Sequence, residues 1–460
     1  MALNITFFSR DNINIRSRFL RHMARKIIAL LFLMFSTRVN ALYAGDFSLV
    51  RLSASDLNAL AAPALPAAPS TETTTPPVPE KDWTVMVFVN GKNNLESYAL
   101  TDVNQMELVG STKKVNVLVE MGRMKGQEDD DVNEGDWTGV RRYLITKDSD
   151  LKHIASPVLD YRKDADMGSW KELVNFVKWG KTRYPARRYA LILWDHGYGW
   201  KPLDDANIPD FANVSKGFSL DDATGHEIST LQLGAALKAA GGVNFFMADG
   251  CLMQMASVAY ELKDHAEVMV ASEEMEPGIV LRYARFLEMI DEKPQSDAEE
   301  LGVNAVRIYR DYFISGGDTE FTILTQSAVR LWKMSALRAK LDVWAGLALA
   351  AEREVLASAK KACKSYDDPE YKDLYHFVSL VTAGTRDAGL QAAGADVMKF
   401  ITSELVIENW ALASDSNGIS IYVPDKYDPL YDKLQWSRDG VWDDFARLMA
   451  TLPPSVPPGE

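Results

Sequence analysis

The 460 residues exceed one ordinary core of roughly 100 to 200 residues, so more than one packed unit plus tails is expected. An apolar content of 47%, with 10% aromatics, excludes global disorder. The formal charge of −14 argues against nucleic acid as a partner, because that binding rests on clustered Lys and Arg. Two cysteines, Cys251 and Cys363, allow one bridge and no disulfide framework.

At the N-terminus, Arg16, Arg18, Arg21, Arg25 and Lys26 precede the apolar run from Ile27 to Phe35. That run is shorter than the roughly 20 residues of a membrane span. A basic region, a short apolar region and the small residues Ala41 and Ala44 form a secretory signal peptide over 1–44, with Met23 as an alternative start. An exported protein is expected, secreted or held in the periplasm or at the cell surface, with no stable membrane span after cleavage. Residues 1–44 hold seven basic and one acidic side chain, so their removal takes the formal charge from −14 to −20. The stretch 45–81 is rich in Ala, Pro and Thr and reads as a linker or removable pro-segment.

From Trp83 onward the pattern changes. Thr84 to Val89 is a continuous apolar run rich in β-branched residues, as in strands buried on both faces, and similar runs recur at 115–119, 189–194, 243–248 and 268–271. Segments of helical spacing lie between them, at 95–109, 170–181, 231–240 and 253–262. This alternation predicts an α/β fold, a mostly parallel sheet with helices on both faces, over 82–297. The region 298–460 reads as helix-rich, notably at 328–361 and 387–410, and its apolar run 418–423 is expected to return a strand to the sheet. No internal repeat is visible.

Two predicted strands end alike: Leu191-Ile-Leu-Trp194 runs into Asp195-His196-Gly197, and Phe245-Phe-Met-Ala248 into Asp249-Gly250-Cys251. In a parallel sheet, ligands bind beyond the carboxyl ends of the strands, so His196 and Cys251 are expected on one rim. Only one helical segment separates the two strands, which makes them candidate neighbours. Cys251 is expected to open a helix, whose backbone N–H groups and a nearby imidazole would lower the thiol pKa. The N–H groups of Gly197 and Cys251 are candidate oxyanion donors. Taken singly, each residue has a plainer reading, the Cys as a small buried hydrophobe and the His as a satisfied structural residue. Their matched placement favours a nucleophile and base pair.

These residues belong to longer motifs: Asn90-Gly-Lys-Asn-Asn-Leu-Glu96, Tyr189-Ala-Leu-Ile-Leu-Trp-Asp-His-Gly197, Lys216-Gly-Phe-Ser-Leu-Asp-Asp222 and Ala248-Asp-Gly-Cys-Leu-Met253. On them, the chain from Trp83 to about Gly278 resembles the clostripain family of cysteine peptidases. Gly418 to Pro424 and Tyr427 to Met449 resemble the family's C-terminal end. The resemblance implies a caspase-like fold, a Cys–His dyad with no required third acid, and cleavage of peptide substrates after Lys or Arg. It makes Cys251 the nucleophile, His196 the general acid or base, and Asp249 a carboxylate on the wall of the pocket for the residue before the scissile bond. Asp195 and Asp222 read as structural. Family members often carry Asp where this chain has Lys92, and an acidic Pro-Gly-Asp-Gly-Trp-like segment where it has Pro277-Gly-Ile-Val-Leu281. Ile279 therefore stands in place of a second pocket acid, with Arg282 nearby, and a looser basic preference is expected.

Between the dyad strands, from Tyr198 to Ala236, Lys201 and Lys216 are the only Lys or Arg residues and hence the candidates for self-cleavage. No cofactor is expected to be required. Asp129 to Gly135 approaches a calcium loop, but its glycine falls one place late and Val140 occupies the position that needs Glu; only the resemblance keeps calcium open. His226-Glu-Ile-Ser-Thr230 lacks the second His of a zinc helix, so no metal site is read there. The competing reading from another class is a non-catalytic binding protein that keeps the fold.

Overall fold

The run of β-branched and apolar residues after Trp83 forms the middle of β1 (Lys81–Gly91), buried along almost its whole length. The structure, a computed structural model, describes residues 80–127, 134–201, 217–278, 282–317, 322–412 and 415–454. The proposed signal peptide, nearly all of the 45–81 segment, Lys216 and Ile279 lie outside these residues.

In chain order β1 is followed by α1 (Glu96–Glu107), β2 (Val115–Arg123), β3 (Gly139–Leu144), β4 (Val158–Arg162), α2 (Trp170–Arg183), β5 (Ala186–Trp194), β6 (Phe218–Asp221) and β7 (His226–Ile228). Next come α3 (Thr230–Ala239), β8 (Phe245–Asp249), α4 (Ala256–Leu262), β9 (Val268–Ala271), α5 (Tyr283–Glu292), α6 (Ala298–Ile314), β10 (Thr325–Arg330), α7 (Met334–Ala348) and α8 (Arg353–Ala362). The chain finishes with β11 (Tyr371–Asp373), α9 (Leu374–Gly384), α10 (Ala388–Phe400), β12 (Val406–Ala411), β13 (Ser420–Tyr422), α11 (Gln435–Asp439) and α12 (Trp442–Met449).

Among the described residues nine strands form one sheet in the order β12-β10-β9-β8-β5-β1-β2-β3-β4. The five central strands, β9 to β2 in that order, are parallel, and both flanks are antiparallel. Alternate side chains divide between two cores, as strand geometry requires. Val85, Val87, Ala190, Ile192 and Met247 face α1, α5 and α6, while Met86, Phe88, Leu191, Leu193 and Phe246 face α2, α3, α4 and the C-terminal helices. Helices thus cover both faces, the caspase-like α/β arrangement.

The C-terminal region joins this sheet differently from the sequence reading. Ser420–Tyr422 does not enter it; β13 pairs with β11 and is bridged to Met255. The region's contributions are β10 and, at the edge, β12. Apolarity reports burial, and β13 is fully buried in its own small sheet. An edge strand tolerates polar residues, so the half-exposed Val406–Ala411 carries no strand-like apolar run and reads as part of the 387–410 helix, which in fact ends with α10 and a π turn. Ala328, read as helical, lies in β10.

Candidate active site

Strands β5 and β8 are parallel neighbours, with Trp194 opposite Asp249. Two residues further along each, His196 and Cys251 occupy adjacent loops on the carboxyl rim. The loops pack backbone against backbone: a Cβ on Gly197 would lie 2.5 Å from the Cys251 carbonyl oxygen, and one on Gly250 2.2 Å from that of Asp195. Only glycine permits that approach at either position. Gly197 also bridges to Phe218, but the bonds there run from Tyr198 N–H to Gly217 and from Ser219 N–H to His196, so the Gly197 N–H is not spent on this contact.

His196 is half-buried, and its Nε2 lies 2.7 Å from Asn94 Oδ1. Burial holds its pKa below the usual histidine value, with Asp222 opposing. Its neighbour Asp195 is buried and accepts hydrogen bonds from Asn90 Nδ2 (2.8 Å), Asn93 Nδ2 (2.6 Å) and the His196 N–H (2.6 Å). Asp195 is therefore the clamp that holds the β1 turn against the histidine loop.

Cys251 departs from expectation. No helix opens there; Leu252 adopts φ +63°, and α4 begins only at Ala256. Instead the 252–254 segment hydrogen-bonds along 272–274, through Leu252 N–H to Glu274 and Gln254 N–H to Ser272. Without a helix terminus the thiol pKa is not lowered. Burial pushes it up to about 12, although the Glu276 N–H donates to Sγ at 3.2 Å. Cys363 is buried and both cysteines are free, so no bridge blocks the site.

Asp249 is buried, and its Oδ2 accepts from the Tyr283 hydroxyl at 2.6 Å. Burial raises its pKa to about 7. Two further buried carboxylates lie close by, neither of which the sequence reading singled out. Glu276 accepts from Gln326 Nε2 at 3.1 Å, and Asp102 from Trp194 Nε1 at 2.9 Å; burial and the charge of Asp249 hold both well above the usual carboxylate range. Glu276 ends an ordinary Glu-Glu-Met-Glu stretch and Asp102 sits mid-helix, so no local pattern marks either. Arg282 is exposed, its guanidinium 5.2 Å from the Tyr312 ring centroid, and its charge lowers the pKa of Asp102.

Lys92 is buried and paired with Asp221 at 2.6 Å, so the departure from the family's acid is locally neutralised. Lys201 is anchored rather than presented: its Nζ meets Asp368 at 2.5 Å and Glu370 at 2.7 Å, and its N–H donates to the Tyr371 hydroxyl. Asp129 to Asn133 of the calcium-like stretch fall outside the described residues. Among the described residues no cluster of His, Cys, Asp and Glu could hold a metal ion, and no helix is long and apolar enough to cross a membrane.

Sheet order, helical layers and paired His and Cys loops on the carboxyl rim define a cysteine-peptidase fold of the caspase type. The clostripain family model matches residues 87–447, and the chain belongs to that family. Clostripain of Hathewaya histolytica is 27% identical over 224 residues, a match that spans 45% of this chain and 42% of that protein. Among solved structures, an inactive zymogen C11 protease from Parabacteroides distasonis is 19% identical with a TM-score of 0.58, covering 78% of this chain and 98% of that one. A secreted C11 cysteine protease from Bacteroides thetaiotaomicron, in complex with an irreversible peptide inhibitor, is 20% identical with a TM-score of 0.56, covering 80% of this chain and 99% of that one. These two likenesses establish the fold.

Proposed function

We propose that this chain is an exported cysteine endopeptidase that cleaves peptides after Lys or Arg, with Cys251 as nucleophile and His196 as proton carrier. The observation that carries the reading is the β5–β8 register, which sets both side chains two residues beyond one paired rung. With the thiol raised and the imidazole lowered by burial, the resting pair is neutral. His196 takes the thiol proton as Sγ bonds to the scissile carbonyl carbon, and the oxyanion is met by the N–H groups of Gly197 and Cys251. The imidazolium then protonates the leaving amine as the C–N bond breaks. Finally the imidazole deprotonates the water that attacks the thioester carbonyl, and the imidazolium returns that proton to Sγ as the C–S bond breaks and the acid product leaves. No cofactor or calcium ion enters these steps.

Basic specificity is supported by Asp249 and Glu276, buried carboxylates beside the nucleophile loop. An entering Lys or Arg side chain provides the cation that lets them ionise, and each charge-assisted contact contributes roughly 1.5 to 3 kcal/mol. Glu276 supplies a second acid that Ile279 does not, so the preference is stricter than a pocket holding Asp249 alone would give. Of the two candidate processing points, the ion-paired Lys201 is a poor substrate, and self-cleavage falls after Lys216.

Substituting Cys251→Ala or His196→Ala is expected to lower hydrolysis of fluorogenic Arg and Lys peptides by on the order of 10³-fold or more, with the circular dichroism spectrum unchanged. The Cys251→Ala protein and a Lys216→Ala protein should remain single chains on a gel, while Lys201→Ala is still cut. Retained hydrolysis by Cys251→Ala overturns the assignment. A native wild-type protein that neither hydrolyses peptides nor takes a thiol-directed label at Cys251 favours the binding-protein reading.

A further inference from the structure

We infer that Asn94 is a positioning residue for His196: its side-chain carbonyl accepts the Nε2–H, which leaves Nδ1 as the nitrogen that exchanges protons with Cys251, the leaving amine and water. The inference rests on the assignment of His196 proposed above and identifies which ring atom does the work.

The contact is 2.7 Å long, between Nε2 and Oδ1. An amide oxygen can only accept, so the hydrogen resides on Nε2 and the lone pair of the neutral ring on Nδ1. The ring then cannot flip about χ2 without losing the bond, so tautomer and orientation are set together.

Asn94 is exposed, and an exposed asparagine ordinarily has no reason to stay in one place. Here the turn that carries it is fixed on both sides. Asn90 and Asn93 donate to opposite oxygens of the buried Asp195 carboxylate, and both also donate to the Leu220 carbonyl, at 2.8 and 2.9 Å. Their own side-chain oxygens accept the N–H groups of Lys92 and Leu95, which closes the turn around Asn94. Asp195 is bonded to the backbone of His196 itself, so one carboxylate registers the Asn94 turn and the histidine loop against each other. The motif Asn90-Gly-Lys-Asn-Asn94 is thereby a device for presenting one amide oxygen to the imidazole. The other groups that bear on the ring are Asp222, whose charge raises its pKa, and Tyr198, stacked at 6.4 Å between centroids. The Asn94 oxygen lies at hydrogen-bond distance from Nε2, so Asn94 sets the tautomer.

The test combines a spectroscopic signature with kinetics. In the full chain carrying Cys251→Ala, which removes self-digestion, long-range 15N–1H correlations of the six histidines are recorded, and the signal lost in His196→Ala identifies the ring. The expected spectrum has a protonated Nε2 and an unprotonated Nδ1, and Asn94→Ala in the same background gives averaged, mixed-tautomer shifts. In the active protein, Asn94→Ala should lower kcat by about 10- to 100-fold with KM little changed, part of the 10²- to 10⁴-fold that a placed proton carrier supplies. Asn94→Asp should hold the ring in place but favour imidazolium, moving the acidic limb of kcat/KM to higher pH. An Nδ1–H tautomer in the unsubstituted ring, or an Asn94→Ala protein with unchanged tautomer and kcat, overturns the inference. Because the tautomer of the unsubstituted ring is read without turnover or substitution at Asn94, an unfolded variant does not block the test. Activity surviving His196→Ala would instead remove the functional assignment, whatever the tautomer.

Discussion

The surroundings of Cys251, the proposed nucleophile, oppose its ionised form. Burial raises the thiol, and the carboxylates of Glu276 and Asp367 raise it further, against the backbone N–H groups of Glu276 and of Cys251 itself, which favour the thiolate. The same Glu276 gives its backbone N–H to the sulfur, and its buried carboxylate feels the charge of Asp249, so the proposed nucleophile and the proposed specificity pocket are joined through one residue. Removing one charge at a time separates their roles. Asp249→Asn and Glu276→Gln are isosteric and should each reduce kcat/KM for Arg and Lys peptides by about 10- to 100-fold, as expected for losing a charge-assisted contact of roughly 1.5 to 3 kcal/mol. Peptides with an uncharged residue before the scissile bond should lose far less. A peptide panel run on both variants checks this, and equal losses across the panel would show that the acids serve the fold alone.

At the scale of elements, the site exists because β5 and β8 end level and their loops touch. That contact is made of main chain, so it is sensitive to a single methyl group. Gly250→Ala places a Cβ 2.2 Å from the Asp195 carbonyl oxygen and 2.8 Å from the Phe218 ring, neither of which is a flexible chain end. Overpacking of this kind costs about 1 to 3 kcal/mol. Urea unfolding of Gly250→Ala should show that loss together with reduced peptidase activity, because the Asp195 clamp moves. Gly346 supplies the contrast. It sits in the last turn of α7, exposed, with nothing within 4 Å of an added Cβ, so Gly346→Ala should stabilise by about 0.5 kcal/mol and leave activity unchanged.

For the whole molecule, the buried acids make stability depend on pH. Asp249 is raised to about 7 and Asp373 and Asp443 to about 6, chiefly by burial, while Asp102, Asp195, Glu273 and Glu276 stand well above the usual range. In the unfolded chain these groups titrate near pH 4. Between those values the folded protein binds more protons than the unfolded one, so unfolding free energy falls as pH rises. The contribution is complete below about pH 4 and is lost as pH climbs through 6 and 7. The lowered pKa values of His196 and His265 act oppositely, but over a narrower range below about 6.5. Calorimetry is therefore expected to give a lower Tm at pH 8 than at pH 6, with a flatter dependence in Asp249→Asn. A Tm that rises across that interval would mean that the carboxylates are paired in ways that keep them ionised.

Much of this was legible along the chain because it depends on neighbours in sequence. Apolar runs bounded by Asp-His-Gly and Asp-Gly-Cys marked β5 and β8, since a strand buried on both faces must be apolar throughout, and they placed His196 and Cys251 at the ends of strands. The edge strand Val406–Ala411 escaped because half-exposed residues carry no such demand, and Ser420–Tyr422 misled because burial beside β11 produces the same composition as burial in the large sheet. Only the tertiary structure brought Glu276 and Asp102 to Asp249 and Asn94 to His196. It also denied Cys251 the helix terminus that its sequence suggested, because Leu252 turns away at φ +63° and pairs with the 272–276 segment. Local pattern determines which residues must be buried and which end a strand. The pKa of a thiol and the partner of an imidazole depend on groups distant in sequence and adjacent in space, and folding alone decides those.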